Sequence, residues 1–226
     1  MLNQNSRIAS RPSAHELTLS AMFCALAYVS TVICHLSIMP AASFLTYDPK
    51  DIIITLGGLI LGPLQALLIT VVSALIEWFT ISDTGIIGFF MNVLSSAAFA
   101  CTASIVYHRR RTLQGAVIGL VAGCLLMTLL MILWNYIITP MYMGVARDVV
   151  ASMLLPVFLP FNLIKGGLNA ALTFLLYRPV IGVLRATKLL PASTHGSKQN
   201  HLLSFIVCGL VLVSCILVIL SMQGIL

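Results

Sequence analysis

The chain has 226 residues, of which 60% are hydrophobic and only 8% charged, with a formal net charge of +6. Soluble domains carry about 25% charged residues, so this composition excludes a water-soluble globular domain and indicates an integral membrane protein. The basic excess is scattered between apolar runs, which argues for membrane topology and against a nucleic-acid surface.

Lipid leaves no partner for open backbone, and the apolar segments are too long and too uniform for barrel strands. An all-α membrane bundle is predicted. Residues 1–16 form a polar N-terminal segment with Arg7 and Arg11. The following run is too long for a signal-peptide core and reads as a retained first helix, residues 17–38. A loop over residues 39–51 holds Pro40, Tyr47, Asp48, Pro49, Lys50 and Asp51. A short second helix, residues 52–61, stops at Gly62-Pro63, and a third covers 64–80. The turn Ser82-Asp83-Thr84-Gly85 leads to a fourth helix, residues 86–107. After His108-Arg109-Arg110-Arg111 a fifth helix spans 113–138, and a loop over 139–148 contains Pro140 and Arg147. The sixth helix covers 159–184, entered through Pro156 and Pro160, with a short helix from residue 149 before it. The chain thus divides into a six-helix membrane domain (17–185), a polar linker (186–201) and a C-terminal transmembrane helix (202–226).

Charge placement sets the orientation. With the N-terminus cytoplasmic, Arg7, Arg11, Arg109, Arg110, Arg111, Arg185, Lys188 and Lys198 lie inside, against Lys50 and Arg147 outside. Polar and aromatic residues of several helices then fall near the outer leaflet: Glu77 and Trp78, Asn92, Trp134 and Asn135, and Asn162 with Lys165, beside the loop carrying Asp48 and Asp51. Asn162 and Lys165 are three apart and share a helix face. A charge at mid-bilayer costs roughly 2.5–3.5 kcal/mol, so Lys165 calls for a partner, a cavity or a ligand. The arrangement suits an outward-opening pocket in which aromatic rings stack on a flat ligand and amides read its hydrogen-bonding edges.

Plainer roles stand beside this one. Asn162 can be interhelical glue. The tryptophans can be interfacial anchors. Glu77 can pair with Lys165, and Asp51 can serve as the N-cap of the second helix. Gly166-Gly167 suit close helix packing, and the Ala21–Ala25 pair suits either internal packing or docking of a second membrane protein. The six cysteines lie in apolar runs without ligand spacing and read as small buried hydrophobes. The chain contains no P-loop, paired metal ligands or nucleophile–base constellation, so a transport role would need a partner as its energy source.

Several stretches resemble a known family. Leu45-Thr46-Tyr47-Asp48-Pro49-Lys50-Asp51-Ile52, Gly62-Pro63-Leu64, the run from Met127-Thr128 to Leu133-Trp134-Asn135-Tyr136, and Leu159-Pro160-Phe161-Asn162-Leu163-Ile164-Lys165-Gly166 are similar to substrate-binding S components of energy-coupling-factor (ECF) vitamin importers, most closely the riboflavin type. The resemblance covers about residues 17–184. It implies a six-helix fold with riboflavin as transported ligand, contacted by Asn135, Asn162 and Lys165. It implies docking to a membrane T component through Ala21 and Ala25, with two cytoplasmic ATPases as energy source. In the first loop relatives carry Lys-Ile-Asp-Phe-Ser-Asp, whereas this chain has Thr46-Tyr47-Asp48-Pro49-Lys50-Asp51, with the aspartate spacing kept and the lysine moved. Another vitamin or a flavin nucleotide is the alternative ligand, and a membrane enzyme subunit or channel the alternative class.

Overall fold

The computed structural model describes residues 13–34, 36–37, 45–82, 84–189 and 202–222. The expectations placed on Arg7, Arg11, Asp83, Lys198 and most of the polar linker lie outside the described residues.

Helix α1 (Ala14–Ile33) opens on Ser13, whose hydroxyl accepts from the Glu16 amide while the Glu16 carboxylate accepts from the Ser13 amide. This reciprocal pair satisfies two of the orphan donors at the helix start. The first helix ends earlier than its apolar run suggests, because Leu36–Ser37 (β1) turns away to pair antiparallel with Thr46–Tyr47 (β2). Helix α2 (Lys50–Leu61) follows directly. It stops at Gly62, whose φ of 120° suits a residue without Cβ, and Pro63 starts α3 (Pro63–Thr80). Helices α4 (Gly85–Arg110) and α5 (Leu113–Ile137) form an antiparallel pair. A short α6 (Thr139–Met143) and α7 (Arg147–Met153) then lead through a π-helical turn, Leu154–Phe158, into α8 (Leu159–Ala186). Pro156 and Pro160 lack the amide hydrogens a regular α-turn would use, which accounts for the widened turn there. Helix α9 (Leu202–Met222) packs on α8.

Among the described residues, five helical segments are long and apolar enough to cross a bilayer: α1, α3, α4, α5 and the continuous 147–186 segment. Helix α2, with 12 residues, is only about 18 Å long. It lies inside the bundle, with nine of its twelve residues buried. One core layer joins α1, α2 and α3 through Leu19, Phe23, Ile54 and Ile69; another joins α4, α5 and α8 through Phe99, Met127 and Phe174. The outer surface is apolar too, with Leu125, Leu129 and Leu155 more than half exposed. That pattern fits lipid as solvent and a bundle that keeps its polar groups within.

Candidate ligand-binding cavity

The polar groups collect where α1 and α3 end and α4 begins, between α5, α8 and the start of α2. Pro49 is the N-cap of α2, so Asp51 lies within the first turn and cannot cap it as expected. Asp51 has no exposed surface, since α2 is swallowed by the bundle. Its Oδ1 accepts from Ser96 Oγ of α4 at 2.5 Å, and its Oδ2 from Asn169 Nδ2 of α8 at 3.2 Å. Lys165 Nζ lies 3.5 Å from the same Oδ2 and 4.0 Å from Asp48 Oδ2.

The second lysine mirrors the first. Lys50, counted as an outside loop charge on sequence grounds, is 3% exposed. Its ammonium donates to Glu77 Oε2 and lies 3.9 Å from Asp48 Oδ2. Glu77 therefore pairs with Lys50 and not with Lys165, because α3 delivers it to the first turn of α2. Thr31 Oγ1 of α1 donates to its other oxygen at 3.2 Å. Three carboxylates, Asp48, Asp51 and Glu77, thus meet two ammonium groups, Lys50 and Lys165, in one buried network. Buried charges persist when they are paired and hydrogen-bonded in this way.

Above the network is a cavity of about 480 Å³. That size lies within the usual range for small-molecule sites, roughly 300–1,000 Å³. Asp48, Lys50, Glu77, Asn92, Asn135, Asn162 and Lys165 supply polar lining, and Leu45, Met91, Met131 and Phe161 the apolar walls. Asn162 Nδ2 donates to Phe158 O at 2.7 Å and Asn135 Nδ2 to Met131 O at 2.7 Å, so each amide leans on the preceding turn of its own helix. Thr139 Oγ1 donates to Asn135 Oδ1 at 2.8 Å, which ties α6 to the rim.

The cavity gathers Asp48, Glu77, Asn92, Asn135, Asn162 and Lys165 from the expected set and leaves out both tryptophans. Trp134 packs with the apolar cluster between α4, α5 and α8. Trp78 stacks on Phe79 and Phe89, ring centroids 4.8 and 5.7 Å away. The aromatic rings in the lining are Phe161 and Tyr142 instead. Sequence reasoning missed Ser96, Asn169 and Tyr47, whose hydroxyl donates to Asn169 Oδ1 at 3.0 Å. For Asn169 a signal existed: it is four residues beyond Lys165 and shares a face with it and Asn162. On α1, Ala21 and Ala25 face outward from the bundle, while Ser20 and Cys24 one step back are buried. Ser20 Oγ donates to Gln65 Oε1 at 2.8 Å, so packing onto α3 uses that neighbouring face and leaves the alanines open.

Fold and cavity define the class: an all-α membrane protein with a solute-sized polar cavity at one end of its bundle. Residues 15–177 match the family model described as ECF transporter, substrate-specific component, and the chain belongs to that family, one of transporter components and not of enzymes. It is 27% identical over 191 residues to the riboflavin transporter RibU of Staphylococcus aureus (strain TCH60), covering 81% of this chain and 99% of the relative. It is 26% identical over 185 residues to RibU of Streptococcus thermophilus (strain ATCC BAA-250 / LMG 18311), covering 77% of this chain and 85% of that one. A solved structure described as the S component of a bacterial ECF transporter superposes with a TM-score of 0.64 at 28% identity, over 75% of this chain and 97% of that chain.

Proposed function

We propose that the chain is the riboflavin-binding S component of an ECF importer. The observation that carries this reading is the cavity wall formed by Asn135, Asn162 and Lys165 beside Phe161. Isoalloxazine is flat, and its pyrimidine edge offers carbonyls and an N–H to amide and ammonium groups. The aromatic ring gives the flat face a surface to lie on. Two relatives described as riboflavin transporters match along most of their length, which supports the same ligand. Riboflavin here is cargo, not a cofactor.

The charge balance favours riboflavin over its phosphate ester. Both lysines of the lining are engaged by carboxylates, and Asp48 and Glu77 also line the cavity. Arg147, an outer cation on sequence grounds, lies over the Tyr136 ring at 5.5 Å instead and is not part of the lining. A phosphate dianion would meet like charge, and such juxtaposition costs several kcal/mol. Import would require a T component, docked on the α1 face of Ala21 and Ala25, and two ATPases. The cavity end would face outward, with Arg109–Arg111 and Arg185 inside.

Titrating the purified protein with riboflavin at micromolar concentration tests the reading by quenching of flavin fluorescence. Saturable quenching is expected, with the flavin mononucleotide at least about tenfold weaker, the equivalent of 1.4 kcal/mol. Protein that is colourless as purified and leaves riboflavin fluorescence unchanged would sink the proposal.

A further inference from the structure

The family match ends at residue 177, so α9 lies beyond it, yet α9 packs on residues next in sequence to Thr46, Asp48 and Lys165 of the cavity lining. Leu212, Cys215 and Ile219 pack on a small cluster made by Tyr47 of β2 with Ile164 and Leu168 of α8. The Tyr47 ring is 5% exposed there. Its hydroxyl donates to Asn169 Oδ1 at 3.0 Å, and the Asn169 amide in turn donates to Asp51, the partner of Lys165. One continuous set of contacts therefore runs from α9 to the charged floor of the cavity.

We propose that α9 is a positioning element of this site, acting through the Tyr47 ring. The physical reason lies in what would replace it. Lipid tails are as apolar as leucine, so α9 adds little hydrophobic burial to Tyr47. A helix nevertheless presents a fixed surface where lipid presents a fluid one. The ring gripped between α8 and α9 loses rotamer freedom before ligand arrives. The ordering of Asn169, Asp51 and Lys165 is then complete in the empty protein, and preorganisation of this kind raises affinity by lowering the cost of binding. Tyr47, Asn169 and α9 act through other groups and are not contacts of the ligand.

This inference rests on the riboflavin reading, and the experiment separates the two. In the full-length protein, Leu212→Ala with Ile219→Ala is expected to weaken riboflavin binding by roughly five- to tenfold, as is Tyr47→Phe, which keeps the ring and removes the hydroxyl. Combining all three is expected to lose no more affinity than either lesion alone. The milder pair Leu212→Met with Ile219→Val is expected to restore affinity. Unaltered affinity in the α9 variant, or losses that add in the combination, would overturn the proposal. Hydrogen exchange at residues 45–52 of the empty protein gives a readout independent of ligand. Faster exchange in the α9 variant supports the coupling even if wild-type protein fails to bind riboflavin, which would refute the functional reading alone. Unchanged exchange refutes the coupling. Should the double alanine variant not accumulate, Cys215→Ala takes its place in the same comparisons.

Discussion

Asp51 holds three helices together through one carboxylate. It sits on α2, accepts from Ser96 of α4, and faces Asn169 and Lys165 of α8, with no exposed surface. Asp51→Ala leaves Lys165 without its nearest countercharge and should cost about 3–5 kcal/mol, read as a lowered thermal midpoint in detergent. Asp51→Asn retains the shape and is expected to cost less. Lys50 and Glu77 give the complementary experiment. Lys50→Met and Glu77→Met should each destabilise by stranding one charge, whereas the double change should recover most of the loss, since an apolar pair of similar volume is often neutral or better. A loss in the double variant equal to the sum of the two single losses would show that the pair has no special coupling. Lys165 and Asn162 were legible in the sequence because each is a polar group in a run otherwise suited to lipid. Lys50 and Asp51 were not, because Tyr47-Asp48-Pro49-Lys50 reads locally as a polar loop. What carries them inside is nonlocal: Thr46–Tyr47 pairs with Leu36–Ser37, and α2, which starts at Lys50, is buried within the bundle.

At the scale of elements, the α4–α5 contact is set by missing side chains. A Cβ on Gly119 would lie 2.7 Å from the Ala103 carbonyl oxygen, and one on Gly123 would lie 2.6 Å from that of Phe99. Both obstacles are backbone and cannot swing aside, so the helices approach closely only because these positions are glycine. Gly123→Ala should therefore destabilise the bundle by about 1–3 kcal/mol. Gly182→Ala, whose added Cβ would meet nothing within 4 Å, serves as control and should be neutral or slightly stabilising. Thermal unfolding of the two variants side by side checks this, and equal midpoints would contradict it. Gly166 makes room for a side chain instead, that of Cys124 of α5, while Gly167 turns toward Cys215 of α9. The predicted helices match the observed ones to within a few residues wherever an apolar run is bounded by Gly, Pro or Arg. The exceptions are the end of α1, the extra helix Thr139–Met143 and the π-helical turn before α8. Each depends on tertiary pairing or on backbone bonds that proline cannot make, which hydropathy does not record.

For the molecule as a whole, burial sharpens the charge argument for orientation. Lys50 belongs to the interior network, which leaves Arg147 as the described basic residue at the cavity end. At the opposite end stand Arg109 and Arg110 in the last turn of α4 with Arg111 at its C-cap, and Arg185 in the last turn of α8 with Lys188 just after it. Helix α2 reaches that end as well, since Gly58 O accepts from Ser104 Oγ at 2.6 Å and lies 3.2 Å from His108 Nε2. The asymmetry predicts that the arginine end is cytoplasmic and the cavity extracellular. Single cysteines introduced at Arg110 and at Arg147 test this, each reacted with a membrane-impermeant maleimide and compared with the unsubstituted chain. Arg147→Cys should be labelled in intact cells, and Arg110→Cys only after permeabilisation. The reverse pattern would place the cavity in the cytoplasm, where it could not collect an external solute, and would remove the import reading together with the orientation. Riboflavin added before the reagent should leave Arg147→Cys labelling unchanged, because that residue stands apart from the cavity lining; protection there would mean that the mouth closes over the ligand as far as α7.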